Sequence, residues 1–136
     1  MTAQTADRNV AQRAGDDDVY PVAAGVTIYE GALVVMAAGF AEPGKVGLNL
    51  AAVGVAMLQA NNALGIAGAI TVKTRRGTFD FAIDPTDPVT LANVQAQVFI
   101  TDDNTICATS GTGTKSVAGV LLDISSSGRA VVRVGK

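Results

Sequence analysis

The chain has 136 residues, of which 49% are hydrophobic and only 4% aromatic, and its formal net charge is −2. This length is typical of one domain, and folding would bury roughly two-thirds of the unfolded surface, so a hydrophobic core is expected. The slightly acidic balance argues against general nucleic-acid binding, which needs a basic face. No apolar run approaches the roughly 18 residues of a transmembrane helix. We therefore expect neither a nucleic-acid nor a membrane partner.

The apolar residues are mostly small. Alanine and valine supply most of them, against four phenylalanines, two tyrosines and no tryptophan. Stabilisation by burial scales with the buried area, so each of these side chains contributes less than a leucine or a phenylalanine would. We expect the domain to gain further burial from a partner chain.

Histidine is absent from the chain, and Cys107 is the only cysteine. The absence of histidine excludes histidine-based catalytic triads and most zinc sites. Cys107 lies in a strand-like run and is interpreted as a small buried residue. Glu30 and Glu42 are single carboxylates without an evident partner for acid–base work. We expect no enzymatic activity, no metal and no cofactor.

The N-terminal segment differs in composition from the rest of the chain. It is polar and carries two arginines and three consecutive acids: Arg8, Arg13, Asp16, Asp17 and Asp18. Such a segment buries too little apolar surface to offset its ordering entropy, about 1–2 kcal/mol per residue for the backbone. We predict that residues 1–18 form an extended arm, disordered in the free protein, and that residues 19–136 form the folded domain.

From Val19 onward, short strand-like runs alternate with turn residues. Pro43 and Gly44 fit the central positions of a type II turn, and Thr90 is expected to cap one short helical turn through Asn93. Many short strands at regular turn spacing are typical of a small β-barrel or sandwich. The later strands are predicted at residues 97–101, 105–109, 117–124 and 130–134.

The run TVKTRRGTFDFAI contains a change in side-chain parity. Val72 and Thr74 would face one side of a strand. Phe79 and Phe81 have the opposite parity, yet they also need a buried face. Because a strand alternates strictly, one extra residue must be absorbed between the two pairs. We predict a β-bulge at Arg76–Gly77, where glycine tolerates a backbone geometry that other residues resist.

The run GTGTKS, residues 111–116, resembles a phosphate-binding loop only superficially. Such a loop needs a glycine directly before the lysine and a helix after it. Here Thr114 precedes Lys115, and the following residues continue as a strand. We interpret the run as a hairpin loop.

Four segments together resemble a known family. They are YPVAAG at residues 20–25, IYEGALV at 28–34, RRGTF at 75–79 and GTGTKSVAGV at 111–120. Their order is similar to that in the head decoration, or cement, proteins of tailed bacteriophages, especially those of Mu-like siphophages and myophages. The resemblance extends over nearly the whole chain.

This resemblance implies a non-enzymatic structural protein of the virion, made in the host cytoplasm. Such a protein binds the outer surface of an expanded icosahedral head and stabilises it against internal DNA pressure. The implied partners are the major capsid protein and two further copies of the chain, as a homotrimer at threefold and quasi-threefold positions. The implied fold is all-β, a small β-barrel or β-clip-like domain with an extended N-terminal arm and at most one short helical turn.

The arm is expected to carry the capsid contacts. Arginine offers planar, bidentate donors that suit acidic groups on a partner. The three consecutive acids would suit a basic strip on the partner, near the point where the arm leaves the domain. Tyr20 and Pro21 would anchor the arm to the barrel, with proline fixing the exit direction. The predicted capsid-binding residues are Arg8, Arg13, Asp16, Asp17 and Asp18, with Arg75 and Arg76 as a secondary contact.

Two other functions stay open at this point. The chain could be another virion subunit, of the tail or of the head–tail connector. It could also be a small-ligand- or carbohydrate-binding β-clip domain, because a fold does not fix a function. A pocket lined by convergent polar groups would favour that last interpretation.

Overall fold

The computed structural model describes Ala6 and residues 16–135. The regular elements of this part of the chain are twelve strands and one 3₁₀ turn, so the predicted all-β fold is confirmed. The strands are β1 (Asp17–Pro21), β2 (Thr27–Ile28), β3 (Leu33–Ala37), β4 (Phe40–Pro43), β5 (Ala51–Ala56), β6 (Ala60–Asn61), β7 (Thr71–Arg75), β8 (Gly77–Ile83), β9 (Gln97–Ile100), β10 (Thr105–Cys107), β11 (Val117–Ile124) and β12 (Ala130–Val134), and the 3₁₀ turn is Leu91–Asn93.

The strands form two main sheets, each built from one half of the chain. Before residue 76, five strands are ordered β1–β7–β5–β3–β4, with antiparallel neighbours. An isolated parallel bridge between Val22 and Ala41 brings the β1 and β4 edges of this sheet together. After residue 76, five strands close a barrel in the order β10–β8–β12–β11–β9. β2 and β6 pair as a separate ribbon.

Two clusters of buried side chains fill these sheets. The cluster inside the barrel also receives Leu33, Val35 and Val55 from the first sheet. The second cluster belongs to the first sheet and its ribbon and consists of valine, isoleucine and alanine. Both cores are therefore mainly aliphatic, as the composition predicts. The largest fully buried side chains of the barrel cluster are Phe81, Leu33, Ile100, Ile106 and Leu121.

The chain crosses from the first sheet to the barrel at Arg76. β7 ends at Arg75 beside β1 and β5, whereas β8 begins at Gly77 beside β12. Val72 is buried on β7 and Phe81 is buried on β8, so the predicted change in parity is confirmed. Gly77 has a φ of 156°, a conformation that favours glycine. The bulge prediction needs one correction, because the extra residue separates two strands of different sheets rather than interrupting one strand.

Two further local predictions have different outcomes. Thr90 caps the 3₁₀ turn, and the side chain of Asn93 accepts from the Thr90 backbone N–H, so the predicted helical turn is confirmed. The type II turn is wrong, because β4 continues through Pro43 and Gly44 does not have the positive φ that this turn requires. The chain instead reverses at Ala38–Gly39, where both residues have positive φ.

The run at residues 111–116 is not a hairpin loop. It belongs to the connection from β10 to β11, and these two strands lie on opposite sides of β9 in the barrel. The connection therefore passes over one strand instead of joining two neighbours. The hairpin of this region is formed by β9 and β10, which are joined by residues 101–104.

The first strand begins earlier than the predicted domain boundary. β1 starts at Asp17, so Asp17 and Asp18 belong to the first sheet. The prediction of an extended arm otherwise falls on residues 1–15, which lie outside the described residues except for Ala6. Over the described residues, helical structure is limited to the 3₁₀ turn, and no helix there has the length and hydrophobicity to span a membrane.

Candidate functional surface at the root of the N-terminal segment

Residues 16–18, called here the root of the N-terminal segment, are attached directly to the first sheet through β1. It pairs with β7 over five residues in antiparallel register, with Asp17 opposite Arg75. The carbonyl oxygen of Asp16 accepts a hydrogen bond of 2.9 Å from the backbone N–H of Arg76. The chain that precedes residue 16 therefore leaves from a fixed position beside the crossing between the two sheets.

Asp17 is held by two basic side chains of β7. Arg75 donates from Nε to Oδ1 at 2.7 Å and from Nη2 to Oδ2 at 3.2 Å, and Lys73 Nζ lies 3.5 Å from Oδ2. The hydrogen bond from Arg75 holds the pKa of Asp17 below its ordinary value. The same bond raises the pKa of the Arg75 guanidinium. All three side chains are a third to a half exposed, so solvent weakens the attraction.

Asp18 is more enclosed than Asp17. Its side chain is 10% exposed, and its Oδ2 lies 3.2 Å from Nε of Arg76. This Nε is buried and makes no aligned hydrogen bond with the described residues, so the contact is electrostatic in character. Salt screens a sheltered pair less than an exposed one. The Asp18–Arg76 pair therefore ties β1 to the residue at which the chain crosses between the sheets.

Tyr20 and Pro21 continue β1 into the body of the first sheet. Tyr20 is partly buried and packs against the aliphatic cluster of that sheet. Directly after Pro21, the backbone N–H of Val22 donates to Ile70 at 3.0 Å. Both residues thus lie between the acidic residues of β1 and the core of the first sheet. Their role as the anchor of an arm stays a prediction.

The structure brings together two sets of residues that the sequence treats separately. Asp17 and Asp18, predicted to contact the capsid, are paired with Arg75 and Arg76, predicted as a secondary contact. The basic strip that would suit these acids is present in the same chain. Whether any of these residues contacts a capsid stays a prediction. Two further predicted contacts lie outside the described part of the chain: Arg8 and Arg13.

Sequence reasoning missed two residues of this surface. Lys73 faces the same side of β7 as Arg75, and the period of two along a strand could have identified it. Gly135 has a φ of 72°, and a Cβ at this position would lie 2.6 Å from Cγ of Arg76 and 2.7 Å from the carbonyl oxygen of Val53. Its contact with Arg76 depends on the tertiary fold and leaves no local signal in the sequence.

Cys107 is fully buried on β10, as the sequence predicts, but it has polar neighbours. Nζ of Lys115 donates to Sγ at 3.3 Å, and the thiol donates to the carbonyl oxygen of Thr109 at 3.4 Å. The hydroxyl of Thr109 and the positive charge of Lys115 hold the pKa of Asp87 below its ordinary value. These hydrogen bonds fix the connection between β10 and β11. Because the thiol of Cys107 is buried, it is not an accessible nucleophile.

An open concavity of about 280 Å³ lies between the β2–β3 connection and the β9–β10 turn. Tyr29 and Glu30 line one part of it, and Asp103 and Asn104 line another. Burial, and secondarily the charge of Asp102, raises the pKa of Asp103. The concavity combines an aromatic ring with carboxylates and an amide, which suits a polar or cationic group.

The comparisons with known proteins identify no relative. No protein family matches the sequence, no curated protein matches it, and no solved structure matches the fold.

Proposed function

We propose that the protein is a structural component of a virion that binds the outer surface of an expanded icosahedral phage head and stabilises it. It acts as a homotrimer at threefold and quasi-threefold positions, with the major capsid protein as its partner. The resemblance of four ordered segments to phage decoration proteins motivates this function. The attachment of β1 to the first sheet is the structural observation that supports it best.

A protein that stabilises a shell must transmit load between the shell and its own fold. In the proposed arrangement, residues 1–15 bind along a neighbouring capsid subunit. Tension on this segment would act on β1, which is paired along its whole length with β7. Two ion pairs, Asp17–Arg75 and Asp18–Arg76, connect the same strand to β7 and to the crossing at residue 76. The root is thus built as part of the sheet.

The exposed apolar side chains support self-association. Eight large apolar residues of the described part of the chain are exposed, although the protein is poor in large apolar residues overall. Exposed apolar surface of this kind marks interaction sites when it is contiguous. A trimer would cover part of it and would add the burial that the small core lacks.

Co-sedimentation with undecorated expanded heads tests this function. Deletion of residues 2–15 leaves Asp16 and β1 in place, so the domain should remain folded. We expect the deletion to weaken shell binding by about tenfold or more, equivalent to about 1.4 kcal/mol. A variant with residues 2–15 in scrambled order is the matched control for length and charge. Undiminished binding by the deleted form would contradict the role of the segment, and no binding by the full chain would contradict the function.

A second candidate function is the binding of a small polar ligand, and the concavity beside Tyr29 and Asp103 favours it. Chemical-shift mapping with neutral sugars and with arginine derivatives tests this candidate. Shifts confined to Tyr29, Glu30 and Asn104, and absent in Asp103→Asn, would favour a ligand-binding protein. An unchanged spectrum at millimolar ligand would contradict binding of these ligands with a Kd of about 1 mM or tighter, which corresponds to about −4.1 kcal/mol.

A further inference from the structure

β1 is attached to the first sheet without contributing a fully buried side chain. It lies at one end of the strand order, so among the described strands it pairs with β7 alone. Its residues are at most partly buried, and Val19 is 60% exposed, whereas each of the other four strands contains a buried residue. Segments with few buried apolar contacts open locally at a lower cost than the core. The docking of β1 therefore depends mainly on its backbone hydrogen bonds and ion pairs.

Arg76 holds β1 from the crossing between the two sheets. Its backbone N–H donates to the carbonyl oxygen of Asp16 at 2.9 Å, and its Nε lies 3.2 Å from Oδ2 of Asp18. The Asp18 side chain is sheltered, so salt screens this contact less than the exposed Asp17–Arg75 pair. The position of Arg76 therefore decides how firmly the N-terminal end of β1 is held.

Three glycines from separate segments surround Arg76, and each has a positive φ. Gly77 follows it directly and pairs with the last residue of β12. A Cβ on Gly54 of β5 would lie 2.8 Å from the carbonyl carbon of Arg75. A Cβ on Gly135, which follows β12, would lie 2.6 Å from Cγ of Arg76 and 3.2 Å from its Cδ. A side chain at position 54 or 135 would therefore displace Arg76 or the backbone that carries it.

We infer that Gly135 controls the docking of β1 through Arg76. The chain after β12 packs against the aliphatic stem of Arg76, and the guanidinium at the end of this stem contacts Asp18. These three residues, called here the β1 lock, connect the two ends of the described chain. β1 then has a docked state, in which the lock is intact, and an undocked state, in which the barrel and the other strands of the first sheet stay folded.

Release of β1 would lengthen the free N-terminal chain without unfolding the core. Val22, which follows β1, is fully buried, and its backbone N–H donates to the carbonyl oxygen of Ile70 at 3.0 Å, so the release ends there. The residues of β1 would add about 17 Å of reach, at roughly 3.3–3.6 Å per extended residue. The β1 lock therefore sets how far the N-terminal segment extends from the domain. This inference does not depend on a shell.

Hydrogen exchange of the full chain, followed at single amides by NMR, measures the docking of β1. Gly135→Ala places a Cβ against the stem of Arg76. We expect the β1 amides then to exchange about tenfold faster, because a sheltered ionic contact contributes on the order of the free energy that changes an equilibrium tenfold. The amides of β9 and β11 should keep their protection. Gly128→Ala is the matched control, because Gly128 also has a positive φ, of 81°, but a Cβ there would meet no atom within 4 Å.

A double-mutant cycle tests whether Gly135 acts through the contact between Arg76 and Asp18. In an Asp18→Asn background, Gly135→Ala should accelerate β1 exchange far less than in the wild type. In an Asp17→Asn background it should keep its full effect, because Asp17 is paired with Arg75. Arg76→Met keeps the stem and removes the guanidinium, so it should release β1 even if Gly135→Ala does not fold.

Four outcomes would overturn the inference. These are unchanged β1 exchange in both Gly135→Ala and Arg76→Met, equal acceleration of the β1 amides and the barrel amides, an equal effect of Gly128→Ala on β1, and additive effects of Gly135→Ala and Asp18→Asn. The second outcome would assign Gly135 to the stability of the whole domain, and the fourth would show that it acts by another route. All of these measurements are made without heads, so they test the β1 lock separately from the proposed shell function.

Discussion

Asp17 and Arg75 face each other across the β1–β7 pair, and two N–H groups of the guanidinium meet the two oxygens of the carboxylate, at 2.7 and 3.2 Å. This geometry is bidentate, so it fixes orientation as well as charge. It lies at the point where any force on the N-terminal segment would enter the sheet.

Breaking the Asp17–Arg75 pair should increase the mobility of β1 more than it lowers the stability of the whole domain. Asp17→Asn and Arg75→Ala should each lower the melting temperature slightly, and more at low than at high salt, because exposed pairs are screened. Hydrogen exchange should show faster exchange of the β1 amides. The exchanged pair Asp17→Arg with Arg75→Asp should recover part of the loss. Equal exchange rates in β1 for Asp17→Asn and wild type would show that the pair does not hold the strand.

Gly77→Val should destabilise the domain by about 1–3 kcal/mol, the usual range for a residue forced into a sparsely populated conformation. Gly77 has a φ of 156°, while a Cβ there would make ordinary contact with the Phe79 ring at 3.6 Å. Backbone strain rather than collision is therefore the expected cause. Urea denaturation measures the effect, with Thr78→Val, an exposed neighbour, as control. An unchanged midpoint for Gly77→Val would contradict the conformational requirement.

Asn62→Ala should increase the mobility of the loop between β6 and β7, residues 62–69. The substitution leaves the carbonyl oxygens of Ala23 and Ile66 without their amide donor, and losing the partner of a buried polar group costs about 1–3 kcal/mol. Hydrogen exchange at Gly65 and Gly68 should accelerate more than exchange in β8. Gln59→Ala is the control, at an exposed position outside the loop. If both variants exchange alike, Asn62 is not the residue that holds the loop.

Asp84 should contribute stability that disappears in acid. Thr86 donates its hydroxyl to Oδ1 at 2.7 Å and its backbone N–H to the same oxygen at 2.9 Å, while Thr101 donates to Oδ2 at 3.0 Å. The hydrogen bonds from Thr86, chiefly that of its hydroxyl, lower the pKa of Asp84. The folded state then favours the carboxylate, so its contribution is complete above the ordinary aspartate pKa of about 3.9 and is lost as the pH falls through the lowered value.

Melts of Asp84→Asn from neutral pH to strong acid would measure this contribution. The variant should melt below wild type at neutral pH, and the difference should shrink as the pH falls below about 4. Asp123→Asn, on the exposed face of β11, serves as control. A gap between Asp84→Asn and wild type that stays constant through the acid range would mean that the ionised carboxylate is not what stabilises the fold.

The alternation of apolar residues predicted the strands and the parity change at Arg76, because both are local consequences of strand geometry. Sequence could not show that β7 and β8 belong to different sheets, since that depends on which distant strands pair with each. The same limit explains the error at Pro43–Gly44. The dipeptide suits a turn, but the pairing of β4 with β3 keeps Pro43 in the strand.

The candidate surface was predictable only in its parts. The charge of Asp17 and Asp18 follows from composition, and the exposure of Arg75 follows from parity. The partial burial of Arg76 does not. Their mutual pairing brings together residues 58 positions apart, as in the Asp17–Arg75 contact, and no local pattern encodes it. A second concavity, lined by Ala52, Gln97, Val120 and Arg133, likewise depends on how β5, β9, β11 and β12 meet.

The single crossing at Arg76 has a consequence for synthesis on the ribosome. Every strand of the first sheet precedes it and every strand of the barrel follows it, so the N-terminal half can complete its hydrogen-bonded ladder while the rest is still being translated, in the order in which domains generally fold. Leu33, Val35 and Val55 would then be exposed to solvent, because their packing partners in the barrel have not yet been synthesised. The nascent first half therefore exposes apolar side chains that closure of the barrel later covers.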